Sequence, residues 1–151
     1  MNCLSCQALK GEISLTPGPV IYEGTYWKVE HVNSSAIPGW LVIVLKRHAE
    51  ALHELSTKEL SELAIMQGAT AKALHEELQS QKEYSVLFAE KGGCNHIHFH
   101  IVAIPEDLPA DKRGANIFSL LNVSKTEAVA GEEIVSLCER LSAKVSASLT
   151  R

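Results

Sequence analysis

His96-Ile97-His98-Phe99-His100-Ile101-Val102 alternates imidazole with apolar side chains without a break. A period of two is the repeat of a β-strand, so His96, His98 and His100 are expected on one face and Ile97, Phe99 and Ile101 on the other. The apolar set belongs to a core. A lone histidine on a strand is ordinary, but three in this register serve no packing purpose that Thr or Val would not serve better. Titratable groups gathered on a rigid element mark a site. Two chemistries compete for it. Imidazoles two apart can converge on one metal ion, or one ring can be a nucleophile toward phosphorus while its neighbours fix its tautomer and steady charge.

Working outward, the strand is expected over residues 95–104, with Pro105 and Pro109 ending it. A second strand, residues 83–90, precedes it across Lys91-Gly92-Gly93. Pro38-Gly39 launches Trp40-Leu41-Val42-Ile43-Val44-Leu45, an apolar run that reads as a central strand buried on both faces. Upstream, Pro17-Gly18-Pro19 marks a turn, and residues 20–22 and 26–31 form a hairpin about Gly24. Ser56 and Glu59 have capping-box spacing, with Leu55 and Leu60 placed for a hydrophobic staple. The helix they open is expected to reach about Ser80, with Leu60, Leu63, Ala64, Ala71, Leu74 and Leu78 as its apolar stripe. Beyond Ala115 a helical pattern returns, clearest in Ile134, Leu137, Cys138, Leu141 and Val145. The fold class is therefore α+β: an antiparallel sheet with one long helix packed on it and a C-terminal helical segment.

Composition sets the bounds. The chain has 151 residues, 46% hydrophobic and 21% charged, and a formal charge of -4, the profile of one globular domain without a like-charge run for nucleic acid. No apolar stretch approaches the roughly 20 residues that span a bilayer. The first ten residues lack the basic-then-apolar order of a secretory signal, so a cytoplasmic protein is expected. In a reducing compartment Cys3, Cys6, Cys94 and Cys138 read as thiols or metal ligands rather than disulfides. Cys3 and Cys6 form a Cys-x-x-Cys, which is half of a tetrahedral zinc site; the alternatives are two free thiols at a terminus or a redox pair, and no thioredoxin-like βαβ pattern follows to favour the latter.

Residues 96–102 match the His-φ-His-φ-His-φ-φ pattern (φ apolar) of the histidine-triad (HIT) superfamily of nucleotide hydrolases and transferases, which this chain resembles. The likeness extends to Tyr22-Glu23 and to Pro38-Gly39-Trp40 through Leu45-Lys46-Arg47-His48, similar to the family's Pro-Gly-His-φ-φ-φ-φ-Pro-Lys-x-His; it covers residues 3–105 and leaves 107–151 unmatched. The resemblance implies that His98 attacks the α-phosphorus of a purine nucleotide or nucleoside phosphoramidate, giving a nucleotidyl-histidine, and that His100 steadies the phosphoryl charge. It implies that a backbone carbonyl holds the proton on His98 Nδ1. Backbone N–H groups about Gly93 and Cys94, with Asn95 beside them, would hold the phosphate. In one bacterial branch a structural zinc is held by residues matching Cys3, Cys6, His48 and His96, and the family's homodimer joins two sheets.

The chain also departs from the pattern. Histidine after Pro-Gly is replaced by Trp40, proline before Lys46 by Leu45, and the Gly-Gln-Ser/Thr before the triad by Gly92-Gly93-Cys94-Asn95. The position that grips the ribose falls at Val32, leaving His31 and Asn33 as its polar neighbours and binding candidates. His53 and His75 read as solvated. Two alternatives to the hydrolase remain: a degenerate member that binds nucleotide without turnover, and a metalloenzyme whose triad is itself the metal site.

Overall fold

The computed structural model describes residues 3–90 and 95–150. A short helix α1 (Leu4–Leu9) leads to strands β1 (Tyr22–Glu23), β2 (Trp27–His31) and β3 (Trp40–Leu45). The long helix α2 (Thr57–Leu78), strands β4 (Lys82–Leu87) and β5 (His98–Ile104), and helix α3 (Gly131–Leu149) complete the order, with a 3-10 segment Gly114–Leu120 between β5 and α3. The five strands form one sheet in the order β1-β2-β3-β5-β4. Every neighbouring pair is antiparallel.

Helix α2 begins as its capping box dictates. Ser56 Oγ accepts from the Glu59 N–H, and the Glu59 carboxylate accepts from the Ser56 N–H. The buried stripe differs from the sequence expectation: Leu60 and Ala64 are exposed, and the face against the sheet is Leu63, Met66, Ala69, Thr70, Ala73 and Leu74. Glu59 fixes this rotation. Its backbone carbonyl takes the indole N–H of buried Trp27 at 2.8 Å, which pins the first turn over β2. Leu60 then turns outward and is exposed, while Leu55 is buried.

The sheet is covered on both faces. One face carries Trp27, Val29, Leu41, Ile43, Leu45 and Ile101 into a core shared with α2 and with Ile134, Leu137, Cys138, Leu141 and Val145 of α3. On the other face a smaller core joins Trp40, Val102 and Ile104 to Leu108 and Ile117, which come from the segment after β5. The residues without a match in the sequence comparison above thus build part of both layers.

Candidate functional site

The β3–β5 register sets the site. Val44 lies opposite His98, Val42 opposite His100 and Trp40 opposite Val102. Paired residues share a face, so His98 and His100 project from the side of the sheet away from α2. Their rings are 5.0 Å apart at 72°. His98 is half-buried and His100 buried. Lys28 and Glu30 of β2 stand on the same face, paired at 2.9 Å. The alternation Trp27-Lys28-Val29-Glu30-His31 was the available signal for them.

His96 does not continue the row. The strand starts at His98. His96 is fully buried beyond its end, with Nε2–H donating to the Leu45 carbonyl at 2.7 Å. Its Nδ1 points instead at Cys3 Sγ and Cys6 Sγ, each 3.6 Å away. His48 Nδ1 lies 3.5 Å from Cys6 Sγ, and its Nε2 faces Glu50 Oε1 at 3.2 Å. The four ligand atoms of Cys3, Cys6, His48 and His96 all fall within 4.8 Å of one another. Zn–S bonds of about 2.3 Å and Zn–N bonds of about 2.0 Å put neighbouring ligands of a tetrahedral zinc roughly 3.3–3.8 Å apart, so the separations are compatible with zinc.

Proton placement agrees with that chemistry. A carbonyl and a carboxylate accept from the Nε2 side of His96 and His48, leaving Nδ1 of each as the lone-pair nitrogen turned to the sulfurs. Burial lowers the pKa of His96 most, with His48 and His98 nearby acting in the same direction, against the Leu45 carbonyl that raises it. The ring is therefore held neutral, the form that ligates a metal. Among the described residues this is the only such ligand cluster, and it takes one histidine of the three. His98 and His100 are not members of that cluster.

For His98, the Nδ1–H donates to the backbone carbonyl of His96 at 2.7 Å. A carbonyl only accepts, so the proton stays on Nδ1 and the lone pair on Nε2. His100 has the opposite arrangement, because its Nδ1 accepts the indole N–H of buried Trp40 at 3.0 Å. Phe118 packs edge-on against both, 5.2 Å from the His100 ring and 5.4 Å from Trp40. Neither contact was legible in the sequence: Trp40 stood out only as a departure from the family's histidine, and nothing local ties Phe118 to the triad.

The remaining candidates separate. His31 is fully buried on the α2 side, with Nδ1–H donating to the Val32 carbonyl and Nε2 accepting the Gly39 N–H. Burial holds its pKa down. Both nitrogens are engaged, so His31 fixes the turn into β3 and is not a pocket residue. Asn33 is exposed past the end of β2, its Oδ1 accepting the Ser34 N–H. Asn95 is exposed beside His96, while Gly93 and Cys94 lie outside the described residues. A cleft of about 440 Å³ opens at the other end of β5, lined by Ile37, Pro38, Leu78, Ala103, Leu108 and Leu120 among others. It touches none of the triad imidazoles, and chemistry rather than volume locates the site.

A family model described as HIT domain matches residues 15–107. No curated protein matches the chain. Among solved structures, a Zn-bound histidine triad family protein from Mycobacterium smegmatis superposes with a TM-score of 0.67 at 18% identity, over 99% of this chain and 97% of its own. A histidine triad protein from Bradyrhizobium japonicum gives 0.69 at 20%, covering 84% and 90%. A hypothetical histidine triad nucleotide-binding protein from Sulfolobus tokodaii gives 0.68 at 16%, covering 96% and 93%. At these identities the likeness is one of fold. No helix is long and apolar enough to cross a membrane among the described residues.

Proposed function

The chain belongs to the HIT family, and from that premise we propose that it is a nucleotide phosphoramidase or hydrolase that cleaves at the α-phosphate through a covalent nucleotidyl-histidine. The observation that carries this reading is the His98 Nδ1–H bond to the His96 carbonyl at 2.7 Å, which directs the ring's lone pair to Nε2. In the first step His98 Nε2 forms a bond to the α-phosphorus. The P–N or P–O bond to the leaving group breaks, and that group leaves with the electron pair and takes up a proton. In the second step water attacks the same phosphorus and releases a proton to solvent, which balances the proton the leaving group took from solvent; the N–P bond returns its pair to Nε2, and the nucleoside monophosphate departs with the water oxygen as its new P–O. Splitting one displacement into two lowers each barrier. His100 donates an N–H to the phosphoryl oxygens as charge gathers on them.

Zinc is proposed on Cys3, Cys6, His48 and His96, where a closed Cys₂His₂ set is typical of structural metal. When bound, zinc ties the N-terminus to the end of β5 and supplies no step of the reaction. Thiolate ligands suit a reducing compartment, which favours the cytoplasm. The assembly proposed is a homodimer joined sheet to sheet, for which sedimentation at micromolar concentration is the check.

The test is release of nucleoside monophosphate from adenosine 5′-phosphoramidate and from a dinucleoside polyphosphate. Turnover in wild type and none in His98→Ala supports the proposal. Equal rates across several substrates sink it, and tight nucleotide binding without release establishes the non-catalytic alternative instead. Metal content separates the zinc proposal from a catalytic metal: His98→Ala should keep zinc in full, while His48→Ala should lose it together with stability.

A further inference from the structure

We propose that Trp40 is a positioning residue that locks His100 as its Nε2–H tautomer, so that a neutral ring N–H faces the substrate's phosphoryl oxygens beside the lone pair of His98. This rests on the phosphoryl-transfer reading for its purpose, though not for its geometry. An indole N–H donates and never accepts. At 3.0 Å from His100 Nδ1, with Trp40 fully buried, it obliges that nitrogen to be the acceptor and sends the ring proton to Nε2.

The lock resists protonation as well as tautomer exchange. An imidazolium carries N–H on both nitrogens. Protonating His100 would set one N–H against another at a site where water cannot compensate, leaving a buried donor unpaired. The surroundings keep the indole from turning away. Its edge is held by Phe118 at 76°, and its backbone follows Gly39, whose N–H donates to His31 and whose carbonyl accepts from the Ala103 N–H. Around His100 the register neighbours are Val42 of β3 and Val86 of β4, with Trp40 and Phe118 above. His98 stands against the ring at 5.0 Å, while Lys28 and Glu30 stand one strand further on, paired with each other at 2.9 Å.

Three partners that cannot exchange donor and acceptor roles therefore set three alternating tautomers. The Leu45 carbonyl holds His96 as Nε2–H, the His96 carbonyl holds His98 as Nδ1–H, and the Trp40 indole holds His100 as Nε2–H. A histidine at position 40, where the family pattern has one, can be donor or acceptor and can itself titrate. Tryptophan removes both freedoms. The active strand then carries a fixed donor whose state does not follow pH.

Long-range ¹H–¹⁵N spectra of the histidine rings in the intact zinc-loaded protein test this directly. In wild type, His100 Nδ1 should resonate as a bare nitrogen and Nε2 as a protonated one, unchanged between about pH 5 and 8, the range over which an ordinary histidine titrates. In Trp40→Phe the two tautomers should mix and the ring should take up a second proton on acidification. A wild-type His100 with its proton on Nδ1 overturns the proposal, as does a Trp40→Phe spectrum identical to wild type. Kinetically, Trp40→Phe should lower kcat on adenosine 5′-phosphoramidate about tenfold at unchanged KM, the scale of one hydrogen bond lost in the transition state. Trp40→His should recover part of that rate and make it pH-dependent. If Trp40→Phe does not fold, the wild-type spectrum still decides. Should no variant or wild type turn substrate over, the phosphoryl-transfer reading fails while the spectrum still reports on the lock.

Discussion

Glu62 shows how much one side chain can organise. From the second turn of α2 its carboxylate accepts the backbone N–H groups of Thr25, Tyr26 and Trp27 at 2.8, 2.7 and 3.0 Å. Gly24 is what lets the carboxylate in, because a Cβ there would stand 2.9 Å from its oxygens. Hydrogen bonds to a charged acceptor are worth about 1.5–3 kcal/mol each, less where water can replace them. We expect Glu62→Ala to lower unfolding free energy by about 2–3 kcal/mol, read from urea midpoints, while Gln at 62 loses part of that. A midpoint unchanged in Glu62→Ala would show that solvent satisfies the turn unaided. Glu50 tests the proposed zinc site. Its carboxylate meets His48 Nε2 at 3.2 Å, on the side of the ring away from the sulfurs. Partners of this kind typically set metal affinity by ten- to a hundred-fold. Glu50→Ala should thus weaken zinc about tenfold, measured by chelator competition, without abolishing it. Complete loss of metal would contradict its indirect place.

At the scale of elements, the junction of β3 with α2 is an electrostatic joint. Arg47 grips the Glu59 carboxylate through two nitrogens at 2.6 and 3.0 Å and also donates to the Glu54 carbonyl. Chiefly that guanidinium, helped by the Ser56 N–H and hydroxyl, holds the Glu59 carboxyl down to about 2. A folded-state value below the unfolded one means stability that is present above the ordinary carboxylate range, near 4.3, and is lost as pH falls toward 2. Urea midpoints of wild type should therefore drop across that window, and those of Glu59→Gln should start lower and drop less. Parallel curves would exclude Glu59 as a source of the acid dependence. This joint also marks where sequence reading succeeds and where it stops. Ser56, Glu59 and Pro38-Gly39 act on neighbours in the chain, so local spacing revealed the start of α2 and of β3. The Cys3, Cys6, His48 and His96 set was legible because a family pattern named the positions. The outward turn of Leu60, the burial of His31 and the departure of His96 from the strand depend on long-range partners, Trp27, Gly39 and Leu45 respectively, which no periodicity records.

For the whole molecule, the chain beyond the HIT match at residue 107 is structural rather than an appendage. Helix α3 buries Ile134, Leu137, Leu141 and Val145 against α2 and the first strands, and Arg140 and Lys144 reach Glu76 and Glu77 across the same seam. The stretch before it places Ile117 in the second core and Phe118 on His100. Residues 120–129 are sewn to the β2–β3 turn, with the Ala36 N–H donating to the Leu120 carbonyl and the Val129 N–H to that of Ser35. Each fully buried aliphatic contributes about 1.5–3 kcal/mol, so the four in α3 alone supply on the order of 6–12 kcal/mol. That is comparable with the entire stability of a typical domain, about 5–15 kcal/mol. A fragment ending at residue 107 should therefore fail to unfold cooperatively, shown by a broad urea transition and weak near-ultraviolet dichroism from Trp27 and Trp40. Leu141→Ala in the full chain is the graded version and should cost about 2–5 kcal/mol, because the cavity it leaves lies between two helices that cannot close on it freely. A sharp, fully reversible transition in the short fragment would place all the folding energy in the family-matched part. The position of Phe118 would then need a functional explanation, since packing would no longer require it.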